Sequence, residues 1–168
     1  MINIAIIDDD KTFCDDFEEQ IKKIDNSYNT DCYYDINTFL ESVSSYNIAI
    51  IDIMLGKDNG IDIASAITEK YPNIKIIFIS VEQDFFQDVY SVNHLYFLVK
   101  PISNEQLKQA LSVCCSEINK QTLYTKLGSG TTAINLNDVS YFEGILKKTI
   151  VHYDQCAKAN LKRPSKGH

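Results

Sequence analysis

The 168-residue chain has no uninterrupted apolar stretch of about 18 residues, the length a membrane-spanning helix needs. Its opening, Met1 to Asp10, lacks the basic and apolar layout of a secretory signal, so the expected compartment is the cytoplasm, with no membrane partner. Its five cysteines, Cys14, Cys32, Cys114, Cys115 and Cys156, make no Cys-x-x-Cys pair and have no histidines at zinc-site spacing. They read as reduced structural thiols, which sets aside a disulfide scaffold and a zinc centre. Internal repeats and low-complexity segments are also missing. His94 and His152 have no companions at ligand spacing and read as ordinary packing or surface residues.

What is present is an ordinary globular balance, 45% hydrophobic and 23% charged, in a length that suits one well-buried domain and a smaller second piece. The net charge of −7 conceals a split: residues 1–119 carry −12 and residues 120–168 carry +5. An acidic body with a basic tail suggests two parts with different partners, or simply a solvated lysine-rich end.

The most informative stretch is Ile48 to Met54, an apolar and mostly β-branched run that meets the carboxylate of Asp52 and then breaks into Gly56, Lys57, Asp58, Asn59 and Gly60. Such a run suits a strand buried on both faces. Asp52 then lies near the carboxyl end, where open α/β sheets place their ligands, although an Asp that closes a strand is more often a turn residue or a helix cap than a reactive group. Ile2 to Ile7 is a similar strand running into Asp8, Asp9 and Asp10. Three adjacent carboxylates call for a cation or a lysine nearby, and Asp10 reads as the cap of the next helix. Phe13, Phe17, Ile21 and Ile24 recur at helical spacing. Thr30 to Tyr34 reads as a strand, Thr38 to Ser44 as a short helix, and Ile61, Ala64, Ile67 and Tyr71 as the face of a helix stopped before Pro72. Ile74 to Ile79 is a strand ending at Ser80, Glu82 to Ser91 a helix, and Leu95 to Val99 a strand closed by Lys100 and Pro101. Ser103 to Gln106 has the form of a capping box ahead of a last helix through Leu107, Ala110, Leu111, Cys114 and Ile118. Five strands alternating with five helices predict an α/β fold, a doubly wound parallel sheet.

Asp8, Asp9, Asp52, Ser80 and Lys100 thus close predicted strands on one edge of that sheet. Carboxylates bind a hard divalent cation such as Mg²⁺ through oxygen, a hydroxyl and an ammonium hold phosphoryl oxygens, and a carboxylate among them can attack phosphorus to form an acyl phosphate. With the motifs Ile-Ile-Asp-Asp-Asp, Ile-Ile-Asp-Ile-Met-Leu, Phe-Ile-Ser and Leu-Val-Lys-Pro in that order, residues 2–119 resemble a response-regulator receiver domain (CheY-like) of two-component signalling. The resemblance implies a flavodoxin-like fold with Asp52 as phosphoacceptor. It further implies Mg²⁺ held by Asp8, Asp9, Asp52 and the Met54 backbone carbonyl, with Asp9 the more direct ligand. Ser80 becomes the phosphoryl-sensing hydroxyl, Lys100 the positive partner of phosphorylated Asp52, Phe97 the switch aromatic, and Pro101 the residue after a cis peptide bond. A sensor histidine kinase is the implied donor and a homodimer on phosphorylation an implied response. The protein is then a switch that labels itself from a phosphodonor and loses the label slowly, not an enzyme.

The chain departs from the family pattern where Phe97 stands for a more usual tyrosine, with Tyr96 beside it one register step away. It departs again at Val81, whose branched side chain next to the acceptor is expected to slow water and small donors.

Beyond Lys120 short strand candidates appear at Leu123 to Leu127, Thr131 to Leu136, Val139 to Phe142 and Thr149 to Tyr153, separated by Gly128, Gly130, Asn137 and Gly144. Residues 133–143, Ala-Ile-Asn-Leu-Asn-Asp-Val-Ser-Tyr-Phe-Glu, and 147–153, Lys-Lys-Thr-Ile-Val-His-Tyr, resemble the first half of a LytTR-type DNA-binding domain. The expected organisation is a receiver at 1–120, a partial β-rich LytTR-like segment at 121–155 and a disordered polar, basic tail at 156–168. DNA is a partner if the second domain is complete, and transcription control is then the output. A metal-dependent phosphatase with an aspartyl nucleophile and a phosphorylation-independent interaction module are the alternative functions.

Overall fold

The computed structural model describes residues 1–82, 84–86, 89, 92–120, 122–127, 130–136, 139–145 and 148–153. The chain divides into two compact units, Met1–Ile118 and Asn119–His168. In the first, β1 (Asn3–Ile7), α1 (Lys11–Ile24), β2 (Asn29–Tyr33) and α2 (Ile36–Ser42) are followed by a 3₁₀ turn at Val43–Ser45. Next come β3 (Ile48–Asp52), a small ribbon of β4 (Met54–Leu55) and β5 (Asp58–Asn59), and α3 (Gly60–Lys70). The unit ends with β6 (Lys75–Ser80), a 3₁₀ turn at Asp84–Phe86, β7 (Tyr96–Val99) and α4 (Asn104–Lys120).

Five strands form one sheet in the order β2-β1-β3-β6-β7, with every neighbouring pair parallel. The alternation of β-branched residues explains why both faces are dry. Ile4, Ile6, Ile48, Ile50, Ile77 and Ile79 face a cluster with Cys14, Phe17 and Ile21 of α1 and Leu107, Ala110 and Leu111 of α4. The intervening residues Ala5, Ile7, Ala49, Ile51, Ile76 and Phe78 face a second cluster with Phe39 of α2 and Ile61, Ala64 and Ile67 of α3. Helices cover both sides, as a parallel sheet requires.

The helix starts follow from capping. Asp10 takes the amides of Thr12 and Phe13 at the head of α1, Asp35 that of Thr38 in α2, and Asn59 that of Ile61 in α3. Ser103 and Gln106 form the expected reciprocal box, Ser103 N–H to Gln106 Oε1 at 3.1 Å and Gln106 N–H to Ser103 Oγ at 3.2 Å. Because Asp35 is the cap, α2 starts two residues before the expected Thr38. The helix expected over Glu82 to Ser91 falls partly outside the described residues, and Asp84–Phe86 within it is a 3₁₀ turn. The described α-helices in this unit therefore number four, not five.

In the second unit β8 (Thr122–Leu127) pairs antiparallel with β9 (Gly130–Asn135), and β10 (Val139–Ile145) with β11 (Lys148–Tyr153). Of the glycines expected as separators, Gly130 is the first residue of β9 and Gly144 the next to last of β10. Ile134 is buried, while Tyr124, Tyr141, Phe142 and Ile150 are exposed. Gly128, Asn137, Cys156 and the expected tail 156–168 lie outside the described residues. Among the described residues no helix is long and apolar enough to cross a membrane.

Candidate functional site

Ile7 is in register with Ile51, so Asp8 and Asp52 are neighbours where β1 and β3 end. Ser80 is in register with Val99, which puts Lys100 one residue beyond it, and the Lys100 N–H donates to the Ser80 carbonyl at 2.8 Å. This is the switch point of the sheet, where the strand order reverses between β1 and β3.

Lys100 Nζ donates to Asp8 Oδ2 at 2.5 Å and to Asp52 Oδ2 at 2.6 Å. Each carboxylate spends its other oxygen on an amide two residues along the chain: Asp10 N–H to Asp8 Oδ1 at 2.9 Å and Met54 N–H to Asp52 Oδ1 at 3.0 Å. Buried charge survives only when paired and hydrogen-bonded in this way. The side chains of Lys100, Asp8 and Asp52 are 13%, 1% and 9% exposed. Burial raises the Asp8 carboxyl above its usual range, with the bonds from Lys100 and the Asp10 amide opposing it. Burial alone would lower the Lys100 ammonium, but its bonds to Asp52 and Asp8 prevail and raise it. Two acids thus share one firmly charged lysine. Below the ammonium lies the Phe13 ring, 4.1 Å from Nζ, stacked on Phe17 at 5.0 Å between centroids.

Asp9 is exposed and does not join this pair. It remains on the same rim, since a methyl group placed on Gly56 would sit 3.7 Å from Asp9 Oδ2. Gly56 itself has φ +58°, a left-handed conformation that glycine adopts without strain. Asp10 is engaged as the α1 cap. Among the described residues no three His, Cys, Asp or Glu side chains converge on one metal position. Mg²⁺ is nonetheless commonly held by only one or two carboxylates, completing its shell with water and phosphate oxygens, so the all-oxygen pair Asp8 and Asp52 suits it in number and type.

Ser80 is fully buried, and its Oγ accepts the Glu82 N–H at 3.1 Å. Phe97 pairs with Phe78 and Tyr96 with Ile77. Phe97 therefore packs on the α2–α3 face and Tyr96 on the α1–α4 face, so the two are not exchanged. The Lys100–Pro101 peptide bond is cis, as expected. Val81 is exposed and, with Phe13, Phe17, Gln20, Lys100 and Pro101, lines a cavity of about 440 Å³ beside the lysine.

Two residues matter more than their sequence context suggests. Gly60 reads as a loop residue, yet it opens α3 so close to β3 that a Cβ there would lie 2.1 Å from the Asp52 carbonyl oxygen; its amide donates to the Ile53 carbonyl at 2.9 Å. Phe13 reads as one of a helix's core residues; it is partly buried and packed against the α1–α4 cluster, and its ring also lies under the Lys100 ammonium.

Sheet order, helix placement and a polar cluster at the carboxyl edge define a flavodoxin-like α/β domain with its site at the switch point. A family model for the response regulator receiver domain matches residues 4–112, and the chain belongs to that family, the receiver domains of two-component systems. It is similar to the sensory transduction protein LytT of Bacillus cereus, 25% identical over 114 residues that cover 66% of this chain and 46% of the relative. The LytT of Bacillus anthracis matches to the same extent. The chain spans about half the length of these curated relatives. The fold is shared with a response regulator receiver domain protein from Clostridium thermocellum, TM-score 0.60 and 20% identity over 71% of this chain and 96% of that one. It is shared also with the response regulator TrrA from Thermotoga maritima, solved with Mg²⁺ and BeF, TM-score 0.61 and 21% identity over 68% and 99%.

Proposed function

We propose that Asp52 accepts a phosphoryl group from a phosphohistidine on a sensor histidine kinase and that the resulting charge switches an output surface. The observation that carries this reading is the single ammonium of Lys100 held between the carboxylates of Asp8 and Asp52. An oxygen of Asp52 attacks phosphorus, the phosphorus–nitrogen bond to the donor breaks, and an acyl phosphate forms. Lys100, already aimed at Asp52, transfers its bond to a phosphoryl oxygen. Asp8, Asp9, Asp52 and the Met54 carbonyl are the groups that would hold Mg²⁺, which when bound offsets the charge of the phosphoryl oxygens. The Ser80 hydroxyl keeps its bond from Glu82 while donating its proton to the new group, and Phe97 follows it on the α2–α3 face.

Relatives named sensory transduction protein LytT and the antiparallel hairpins of the second unit support a LytTR-type output that binds DNA and controls transcription; a cytoplasmic location and homodimer formation on phosphorylation complete the proposal. A turnover phosphatase is disfavoured because the residue two after Asp52 is Met54, with no proton to give a leaving group, and Asp10, two after Asp8, is occupied as a helix cap.

Incubation with acetyl phosphate and Mg²⁺ is expected to add one phosphoryl mass to the wild type and none to Asp52→Asn. A gain that persists in Asp52→Asn, or many turnovers on phosphate monoesters, overturns the reading.

A further inference from the structure

Cys14 and Cys32 take no part in the site described, yet they adjoin it. Cys14 is buried on α1 and Cys32 is half-buried on β2. The two residues touch, the Cys32 thiol donating to the Cys14 carbonyl at 3.7 Å. Cys14 Sγ reaches the Asp8 carbonyl at 3.6 Å, and its amide donates to the Asp10 carbonyl at 3.0 Å. One thiol is therefore joined to the loop carrying Asp8, Asp9 and Asp10, while its partner has access to solvent.

We propose that Cys14 and Cys32 are a peroxide-oxidisable dithiol, a modification site that adjoins the acidic loop and alters it when the disulfide forms. Cys32 is the first to react. Its thiolate attacks one oxygen of hydrogen peroxide, the O–O bond breaks, hydroxide leaves and a sulfenic acid remains. The Cys14 sulfur then attacks the Cys32 sulfur, the S–O bond breaks, and the Cys14 proton leaves with the hydroxyl as water. Overall, two thiols and one peroxide give one disulfide and two waters. Cys32 is the half-buried member of the pair and Cys14 the buried one, and the neighbouring Cys14 holds the Cys32 thiol below its usual range, which favours Cys32 as the attacking group. Once joined, Cys14 has no S–H for the Asp8 carbonyl, and α1 is tied to β2. A cytoplasmic disulfide of this kind is transient and signalling in character.

The test uses the full chain, treated with hydrogen peroxide, digested with trypsin and weighed. Cys14 and Cys32 are the lone cysteines of the peptides 12–22 and 24–57, so their link is unambiguous. The expected result is a mass about 2 Da lower and one cross-link between those peptides, reversed by dithiothreitol and absent in Cys32→Ser. Free alkylation of both thiols after peroxide, or a link through Cys114, Cys115 or Cys156, overturns the proposal. An effect on phosphoryl transfer rests on the proposed function and is read separately, as the acetyl phosphate labelling rate of oxidised against reduced protein. A slowing of about fivefold or more is expected, and equal rates overturn that link. Absence of labelling in both forms counts against Asp52 as acceptor, while the cross-link still decides the dithiol.

Discussion

Replacing Lys100 by methionine keeps the length of the side chain and removes the one cation between Asp8 and Asp52. Removing one partner of a buried ion pair costs about 3–5 kcal/mol, because the other charge stays buried and uncompensated. Here two carboxylates lose their partner, but each keeps one backbone amide and the lysine is 13% exposed at the sheet edge, so the lower end, about 3 kcal/mol, is appropriate. With a urea slope of about 1.5 kcal/mol/M, the unfolding midpoint in metal-free buffer falls by about 2 M. The same substitution removes a positive charge that competes with any cation for the two acids. Mg²⁺ therefore stabilises Lys100→Met more than the wild type, and its affinity, read from the rise of the midpoint with Mg²⁺ concentration, tightens about tenfold or more. A variant as stable as wild type without metal, or one with unchanged Mg²⁺ affinity, refutes the argument that the ammonium is the counter-ion of this pair.

Gly60→Ala places a methyl group against the Asp52 backbone, and since backbone must move, a loss of about 2–4 kcal/mol is expected by urea unfolding, along with slower labelling of the fraction that stays folded. Val81→Ala opens the side of the cavity beside Lys100 and should shorten the life of the acyl phosphate, followed by mass spectrometry after the donor is removed; an unchanged lifetime argues against Val81 as a barrier to water. Glu18 accepts the Thr30 hydroxyl at 2.7 Å and pairs with Lys22 at 3.0 Å, and chiefly the Thr30 bond holds its carboxyl below the ordinary value of 4.5. Its folded pKa is depressed, so its contribution is complete above about pH 4.5 and disappears as pH falls through the lowered value. The stability gap between wild type and Glu18→Gln should accordingly be full at pH 7 and shrink as the pH is taken progressively below 4.5, and a gap that widens in acid contradicts the assignment.

Much of the first unit is legible in the sequence because β1, β3 and β6 are apolar, mostly β-branched runs that reach Asp8, Asp52 and Ser80 at their carboxyl ends, and the apolar β7 is followed by Lys100. Asp10, Ser103 and Gln106 announce helix starts through local hydrogen bonds alone. The role of Gly60 was hidden, since its constraint is the approach of α3 to the Asp52 carbonyl, a contact that exists only after the sheet and helix have packed. The same holds for Phe13: its helical spacing indicates its packing on the core but not that its ring lies under an ammonium 87 residues away in sequence. Asp8 and Asp9 are indistinguishable as letters; strand register buries the first against Lys100 and leaves the second exposed. In the second unit the strands are legible as short runs between glycines and asparagines: the chain reverses between Leu127 and Gly130, which opens β9, and Gly144 is the next to last residue of β10.

The most direct test of the account is chemical trapping of the acyl phosphate. After acetyl phosphate and Mg²⁺, borohydride reduces an aspartyl phosphate to homoserine, and the peptide 24–57 contains Asp52 whereas Asp8, Asp9 and Asp10 lie in the peptide 1–11. The account predicts homoserine at position 52 alone; homoserine in the peptide 1–11, or nowhere, contradicts it.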